Sequence, residues 1–290
     1  MIINQIKSGK AVRTSLILLI LIISIIFLYR PYFQIKFGGG DNLEWYNEAK
    51  ERNTLGKIID YRYYSGRLGP SSYYNPIQLL IWRYMVINYD KNHYPYHLLS
   101  IFIHIINTVI VFFFLKIFIK NNFFSFAASL SFAIFYPNFE TMGWIAAAIT
   151  TGLAAFFILF TLFLAIKYFQ RKNEFFYFSS LLIFFLGTFT KEYVVFTLPL
   201  LFAYYLTTQR GKSLKITKKD LIFLPYLILS LPIILITFAK LNTSAIMTTW
   251  GGTNFGMHMF YRFLDYINYL ITVVPVSFYI KIMVSGFILL

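Results

Sequence analysis

Residues 97–119 read HLLSIFIHIINTVIVFFFLKIFI, an apolar run whose single Lys or Arg, Lys116, lies near its end. At about 1.5 Å per residue, a helix of this length crosses the ~30 Å hydrocarbon core of a bilayer. In lipid, the backbone polar groups must be satisfied within the segment, so a spanning run is helical. Comparable runs recur at about 14–29, 123–137, 143–166, 175–190, 193–208, 221–239 and 267–290. The sequence therefore predicts an all-α, polytopic membrane helix bundle of about seven or eight transmembrane helices, in a single integral membrane domain.

The composition of the whole chain also favours a membrane protein. Of its 290 residues, 58% are hydrophobic and only 13% are charged, whereas soluble domains carry about 25% charged residues. The 34 Phe and 23 Tyr residues exclude a disordered chain, and the absence of Cys excludes a disulfide scaffold. A water-soluble fold is disfavoured on the same grounds.

Basic residues near the ends of the apolar runs predict the orientation in the membrane. The net charge is +15, and cytoplasmic loops of membrane proteins are enriched in Lys and Arg. The opposite short connections contain only Lys191, Lys240 and Arg262. We therefore expect a cytoplasmic N-terminus and no nucleic-acid partner. The residues that fall on the predicted cytoplasmic side are Lys7, Lys10, Arg13, Lys116, Lys120, Lys167, Arg171, Lys172, Arg210, Lys212, Lys215, Lys218 and Lys219.

The first apolar run and the segment after it are predicted to form an anchor and a large loop. No small-residue cleavage site follows the run at 14–29, so it is expected to be retained. Residues 30–96 are predominantly polar and are predicted to form the first extracytoplasmic loop. Within this loop, residues 77–89 are apolar but too short to cross comfortably, which favours an interfacial helix.

Two pairs of runs are predicted to be hairpins with charged tips. As one helix, residues 175–208 would extend about 51 Å, well beyond the bilayer core. Both flanks of this stretch are basic, so an even number of crossings must lie between them, with Lys191-Glu192 at the outer tip. The same parity argument places Glu140 at the outer tip of the stretch 123–166.

The few acidic residues near the predicted outer surface are candidate functional groups, because ionisable side chains are costly at membrane depth. Asp41 follows three glycines, and Glu44 lies three residues further on. Structural interpretations remain open for each candidate. Asp41 is also compatible with a solvated loop acid, Glu140 with an acid facing a helix dipole, and Lys191-Glu192 with an ion pair at a tight turn.

Arginines and histidines provide further candidates. Arg62 and Arg67 lie among five tyrosines in YRYYSGRLGPSSYYNP, residues 61–76. Tyrosines at this density are typical of an interfacial belt, but they also suit stacking on sugar rings beside arginine forks for phosphate. His97 and His104 lie two turns apart on one helical face, a pattern typical of packed histidines. No third ligand stands at metal spacing, so no metal and no cofactor are expected.

Three stretches resemble the GT-C superfamily of polytopic glycosyltransferases, which includes protein O-mannosyltransferases and aminoarabinose transferases. The first is GGGDNLEWYNEA, in which Asp41 resembles the acid that opens the family's first outer loop. The second is YPYHLLSIFIHIINTVIVFFFL, which is similar to a second span of the family. The third runs from YPNFETMGWIAAAITTGLAAFF to LLIFFLGTFTKEYVVFTLPLLF and resembles the family's tips with Glu and Lys-Glu. Together they cover roughly residues 10–205.

This resemblance implies a reaction and a set of roles. The reaction is transfer of a sugar from a polyprenyl-phosphate donor to an acceptor hydroxyl of a glycan, lipid or protein, outside the cytoplasmic leaflet and with inversion. Asp41 is assigned as the base, and Glu140 as a residue that positions the acceptor or pairs with Lys191. The resemblance makes Arg62, Arg67 and Lys191 candidates for the donor phosphate. Supporting roles fall to Glu192, Glu44 and His104.

The chain also departs from the family pattern. Asn42 follows Asp41 where many relatives have a second acid, and Asn75-Pro76 stands where an Arg-Pro is common. Family members usually have eleven or more spans, whereas this chain stops at Leu290 within an apolar run, as a fragment or a shortened relative would. A transporter or flippase of a lipid-linked or anionic solute, and a non-catalytic transferase half, are the alternatives. The Lys, Ile and Asn bias favours a prokaryotic inner or plasma membrane.

Overall fold

The computed structural model describes residues 2–38, 40–60, 62, 74–210 and 218–243, and the regular elements of this part are all helices. Three short 3₁₀ helices cover Arg30–Gln34, Glu192–Phe196 and Lys218–Phe223, and Leu206–Arg210 forms a π turn. The α-helices are α1 (Ile2–Tyr29), α2 (Gly40–Glu51), α3 (Leu55–Ile59), α4 (Pro76–Tyr89), α5 (His93–Ile119), α6 (Asn122–Ala133), α7 (Tyr136–Gly143), α8 (Ile145–Arg171), α9 (Glu174–Thr188), α10 (Thr197–Tyr205) and α11 (Leu224–Thr243).

Four helical segments of the described part are long and apolar enough to cross a membrane. They are Val12–Gln34, His93–Ile119, Ile145–Arg171 and Asp220–Thr237. Two shorter apolar helices, α6 and α9, lie among them. The chain is therefore a helical membrane protein, as its composition predicts. The run at 267–290 lies outside the described residues.

The apolar stretch 175–208 is broken near Lys191-Glu192, as its length predicts. Helix α9 ends at Thr188, and α10 begins at Thr197 after the short 3₁₀ helix. We call residues 189–196 the Lys191 turn.

Local sequence sets the ends of the long helices. Asn92, Asn121 and Asn173 precede α5, α6 and α9, and the side chain of each accepts a backbone N–H from the first helical turn. Lys120 and Lys172 follow α5 and α8 in the left-handed conformation that ends a helix. Polar residues at the boundaries thus divide a nearly continuous apolar sequence into separate helices.

Helices α5 and α8 pack closely through a small residue. The side-chain amide of Asn107 donates a hydrogen bond to the carbonyl oxygen of Gly152 at 2.8 Å. A Cβ atom on Gly152 would lie 3.1 Å from Cγ2 of Ile103. Small residues and interhelical hydrogen bonds are typical stabilising features between membrane helices. This contact fixes α8, whose first turns line the site described below.

The segment predicted as an interfacial helix forms α4, and its two faces differ. Leu79 and Trp82 are fully buried in a core cluster with Tyr46 of α2. Leu80 and Ile87 are exposed. The helix therefore covers α2 with one face and leaves apolar side chains exposed on the other.

Candidate functional site

A small cavity opens where the first turns of α2 and α8 meet the Lys191 turn. Its volume is about 190 Å³. The lining combines one carboxylate, one ammonium group, two indoles and several small side chains. These residues are Asp41, Trp45, Trp144, Ala146, Ala147, Thr150, Thr151 and Lys191. The cavity thus brings together Asp41 and Lys191, which the sequence predicted as parts of one site.

Asp41 lies in the first turn of α2 and is partly buried. Burial raises the pKa of its carboxyl above the ordinary value, and the carboxylate of Glu44 raises it further. The charge of Lys191, which lines the same cavity, lowers the same pKa. A carboxylate with a raised pKa is a stronger base than an ordinary aspartate, and it can accept a proton from a bound hydroxyl.

Lys191 is held by the backbone of the Lys191 turn. Its N–H donates to the carbonyl of Gly187 at 3.3 Å, and the hydroxyl of Thr190 donates to the same carbonyl at 2.6 Å. The turn is also joined to α4, because the N–H of Ile77 donates to the carbonyl of Phe189 at 3.3 Å. Lys191 therefore approaches the cavity from a turn anchored on both α9 and α4.

Asn42 connects the two helices that contribute most of the cavity lining. Its side-chain oxygen accepts the N–H of Ala146 at 2.9 Å, and its amide nitrogen donates to the carbonyl of Gly38 at 3.2 Å. Asn42 is buried. The residue that departs from the two-acid family pattern thus ties the start of α2 to the start of α8, directly beside Asp41.

Two threonines of α8 link the cavity to neighbouring elements. The amide of Gln78 in α4 donates to the hydroxyl of Thr150. The side chain of Thr151 is hydrogen-bonded to Tyr193 of the Lys191 turn. These contacts hold α4, α8 and the turn in one arrangement around the cavity.

The remaining residues predicted for the site lie at several places. Arg62 is 77% exposed and forms an ion pair with Asp60, with Nη2 at 2.6 Å from the carboxylate. Glu140 lies on α7, which directly precedes Trp144 and α8. Glu192 begins the 3₁₀ helix next to Lys191. Arg67 lies outside the described residues.

His104 has a structural environment. It is buried within α5, and its Nε2 lies 3.2 Å from the carbonyl oxygen of Ala133 at the end of α6. The hydroxyl of Tyr29 donates to the same carbonyl at 2.6 Å, and the two rings pack edge to face. Both side chains thus satisfy a carbonyl that the helix itself leaves unpaired. His97 similarly places Nε2 2.9 Å from the carbonyl of Ile35.

A second, larger cavity is a groove of about 450 Å³ between α4, α5 and α8. We call it the apolar groove. Its residues carry aliphatic or aromatic side chains almost throughout. They are Leu80, Ile81, Tyr84, Met85, Leu99, Phe102, Ile103, Ile106, Leu153 and Phe156. Helix α8 lines both cavities, with Thr150 and Thr151 in the small one and Leu153 and Phe156 in the groove.

The sequence did not single out Trp45, Trp144 or the threonines of α8. The available signal was WIAAAITTG at residues 144–152, where small residues follow a tryptophan at the start of an apolar run. That pattern is also common in packed membrane helices, so the sequence alone does not indicate a binding site there. In the described residues, no group of three or more His, Asp or Glu side chains could hold a metal ion.

Together the fold and the cavity define a helical membrane protein with a carboxylate and an ammonium group facing one small, aromatic-lined site. No family model, curated protein or solved structure matches the chain.

Proposed function

We propose that the chain is a GT-C-type membrane glycosyltransferase that moves a sugar from a polyprenyl-phosphate donor to an acceptor hydroxyl, with inversion. The observation that carries this proposal is the shared cavity of Asp41 and Lys191. The two residues are far apart in sequence, and the resemblance implies complementary roles for them, one as a base and one as a phosphate-binding cation. Their meeting in one small cavity supports those roles.

The proposed step is a direct displacement at the anomeric carbon. Asp41 accepts the proton of the acceptor hydroxyl while the oxygen of that hydroxyl forms a bond to the anomeric carbon. The bond from that carbon to the phosphate oxygen breaks on the opposite face, and its electron pair leaves with the polyprenyl phosphate. Lys191 stabilises the phosphate charge as it develops, and a partly dry cavity strengthens this interaction relative to bulk water.

The apolar groove supports a lipid-linked donor. Its side chains are almost entirely apolar, and its volume of about 450 Å³ suits part of a hydrocarbon chain. Leu153 of the groove follows Thr150 of the small cavity by three residues on α8. In the proposed arrangement, the isoprenoid chain of the donor lies in the groove and its phosphate-sugar end lies in the small cavity.

The topology belongs to the same proposal. We propose seven or eight spans, a cytoplasmic N-terminus and a site on the extracytoplasmic side, where Asp41 and the Lys191 turn share one face. The excess of basic residues at the ends of α5 and α8 supports this orientation, through Lys116, Lys120, Lys167 and Arg171. A prokaryotic inner or plasma membrane fits this arrangement.

Native mass spectrometry of the purified protein tests the donor class. We expect a co-purified polyprenyl phosphate, or its sugar-loaded form, whose occupancy falls at least several-fold in Lys191→Gln. Lys57→Gln is the matched control, because Lys57 is on α3 and contacts Asn53. Only bulk phospholipid in the wild type, or equal loss in both variants, would contradict the proposal. Vectorial movement of a carrier lipid without any sugar transfer would instead identify a transporter.

A further inference from the structure

Trp144 is the aromatic residue of the small cavity that remains available for contact. Trp144 is 44% exposed, whereas Trp45, the other indole of the lining, is 4% exposed and belongs to the core. Trp144 immediately precedes α8 in an extended conformation, with φ −105° and ψ 97°, and it makes no side-chain capping hydrogen bond there. Its ring therefore neither caps the start of α8 nor fills the core.

The cavity lining is chemically complementary to the two kinds of surface of a sugar ring. Hydroxyl groups surround a pyranose at its rim, and polarised C–H bonds cover its faces. The π face of an indole is electronegative and attracts such C–H bonds. Asp41, Thr151 and Lys191 supply hydrogen-bonding groups along the same lining. Aromatic and polar groups are thus placed for the face and the rim of one ring.

The size of the cavity limits the ligand to a compact group. Its volume of about 190 Å³ is below the roughly 300–1,000 Å³ of sites that enclose drug-sized ligands. Ala146 and Ala147 contribute little side-chain bulk, so the space beside Trp144 stays open. A single sugar ring suits these dimensions better than an oligosaccharide or a nucleotide.

We propose that Trp144 is the stacking platform for one pyranose ring and thereby selects cyclic sugars at this site. This inference rests on the proposed function and deepens it, because it names the residue that recognises the sugar rather than the phosphate. A tryptophan at the end of a membrane helix often serves as an interfacial anchor. If Trp144 were only an interfacial anchor, its replacement would not change pyranoside binding, so an experiment can separate the two roles.

Saturation-transfer NMR with a panel of methyl pyranosides provides the test. The full chain is placed in phospholipid nanodiscs, since glycoside detergents would compete for the site. We expect at least one pyranoside to bind, with the strongest transfer at the C–H protons of one face, while the acyclic polyol mannitol gives none. In Trp144→Leu the affinity should fall about tenfold, whereas Trp144→Tyr should retain most of it.

Phe123→Leu is the matched control, because Phe123 is an exposed aromatic residue of α6 that does not line the cavity. It should leave pyranoside binding unchanged. Equal signals from pyranosides and mannitol, no pyranoside signal, or full binding in Trp144→Leu would overturn the inference. Sugar transfer measured in parallel separates the two proposals. If Trp144→Leu loses pyranoside binding but the wild type transfers no sugar, only the transferase proposal is refuted. If the wild type transfers sugar and Trp144→Leu transfers it equally well, only the role of Trp144 as a stacking platform is refuted.

Discussion

The side-chain oxygen of Asn42 accepts a hydrogen bond from the backbone N–H of Ala146 at 2.9 Å, joining the first turn of α2 to the first turn of α8. The bond fixes the helix start that carries Asp41 against the helix that forms the floor of the cavity. A second bond, from the amide of Asn42 to the carbonyl of Gly38, holds the segment that leads into α2.

Asn42→Leu should therefore lower stability, because the N–H of Ala146 loses its partner in a buried place. We expect a loss of about 1–3 kcal/mol, measured by thermal unfolding in nanodiscs. Asn42→Asp keeps an acceptor for Ala146 and should lose less. Asn88→Leu is the control, since Asn88 is exposed and donates only to the carbonyl of Tyr84 in its own helix. Equal stability of Asn42→Leu and the control would show that the link contributes little.

The pH dependence of turnover should report the charges around Asp41. Its pKa is raised by burial and by Glu44, and it is lowered by Lys191. The base must be ionised, so activity should fall as the pH drops through this raised pKa. Glu44→Gln should move the acid limb of kcat/KM to lower pH, and Lys191→Gln should move it to higher pH. Glu51→Gln, at the far end of α2, serves as the control. Shifts of the same sign in both test variants would exclude Asp41 as the titrating group.

Gly187 has no room for a side chain. A Cβ atom there would lie 2.6 Å from Cβ of Phe157 and 2.9 Å from Cγ1 of Val194. Gly187→Ala should therefore push the Lys191 turn away from α8 and cost about 1–3 kcal/mol. Gly56→Ala is the matched control, because no atom lies within 4 Å of the added Cβ. A thermal-unfolding midpoint that falls equally in both variants would contradict this account of the turn.

The apolar groove should be sensitive to added bulk. Leu153→Trp places a large ring in the groove and should reduce co-purified polyprenyl phosphate several-fold, as measured by native mass spectrometry. Leu200→Trp is the control, because Leu200 is an exposed residue of α10 outside the groove. Undiminished carrier in Leu153→Trp would show that the isoprenoid chain binds elsewhere.

Much of the helical architecture could be predicted from the sequence, because each long apolar run must satisfy its own backbone in lipid. The run at 97–119 lies within α5, and the charged pair Lys191-Glu192 lies where the stretch 175–208 breaks. Local asparagine caps reinforce these boundaries. The apolar runs at 97–119 and 143–166 could be predicted as helices without any knowledge of tertiary contacts.

The neighbours of the candidate residues could not be predicted in the same way. The contact between Asn42 and Ala146 joins elements about a hundred residues apart, and no local pattern encodes it. The same holds for His104, whose ring lies against the buried carbonyl of Ala133 at the end of α6. A sequence pattern identifies an ionisable residue near the membrane, but packing decides whether it faces a cavity or completes a helix end.

The central claim is that Asp41 acts as the base opposite Lys191. Asp41→Asn removes the base but keeps the shape of the side chain, and Asp90→Asn is the control because Asp90 lies at the end of α4. The raised pKa means that the ionised form of Asp41 is disfavoured in the folded state. The protonated carboxyl of Asp41 therefore stabilises the folded state. This contribution is complete below the pKa of the unfolded state and is lost as the pH rises through the pKa of the folded state. At pH 7, Asp41→Asn should therefore unfold at a temperature no lower than the wild type.

The most direct measurement is the rate of sugar transfer by the purified protein in nanodiscs. Labelled polyprenyl-phosphate sugars extracted from host membranes serve as donors, and a host membrane extract supplies the acceptor. We predict that the wild type and Asp90→Asn release polyprenyl phosphate and form a labelled product, while Asp41→Asn, folded and still carrying the donor, does so at least a hundredfold more slowly. Transfer by Asp41→Asn at the wild-type rate would contradict the account.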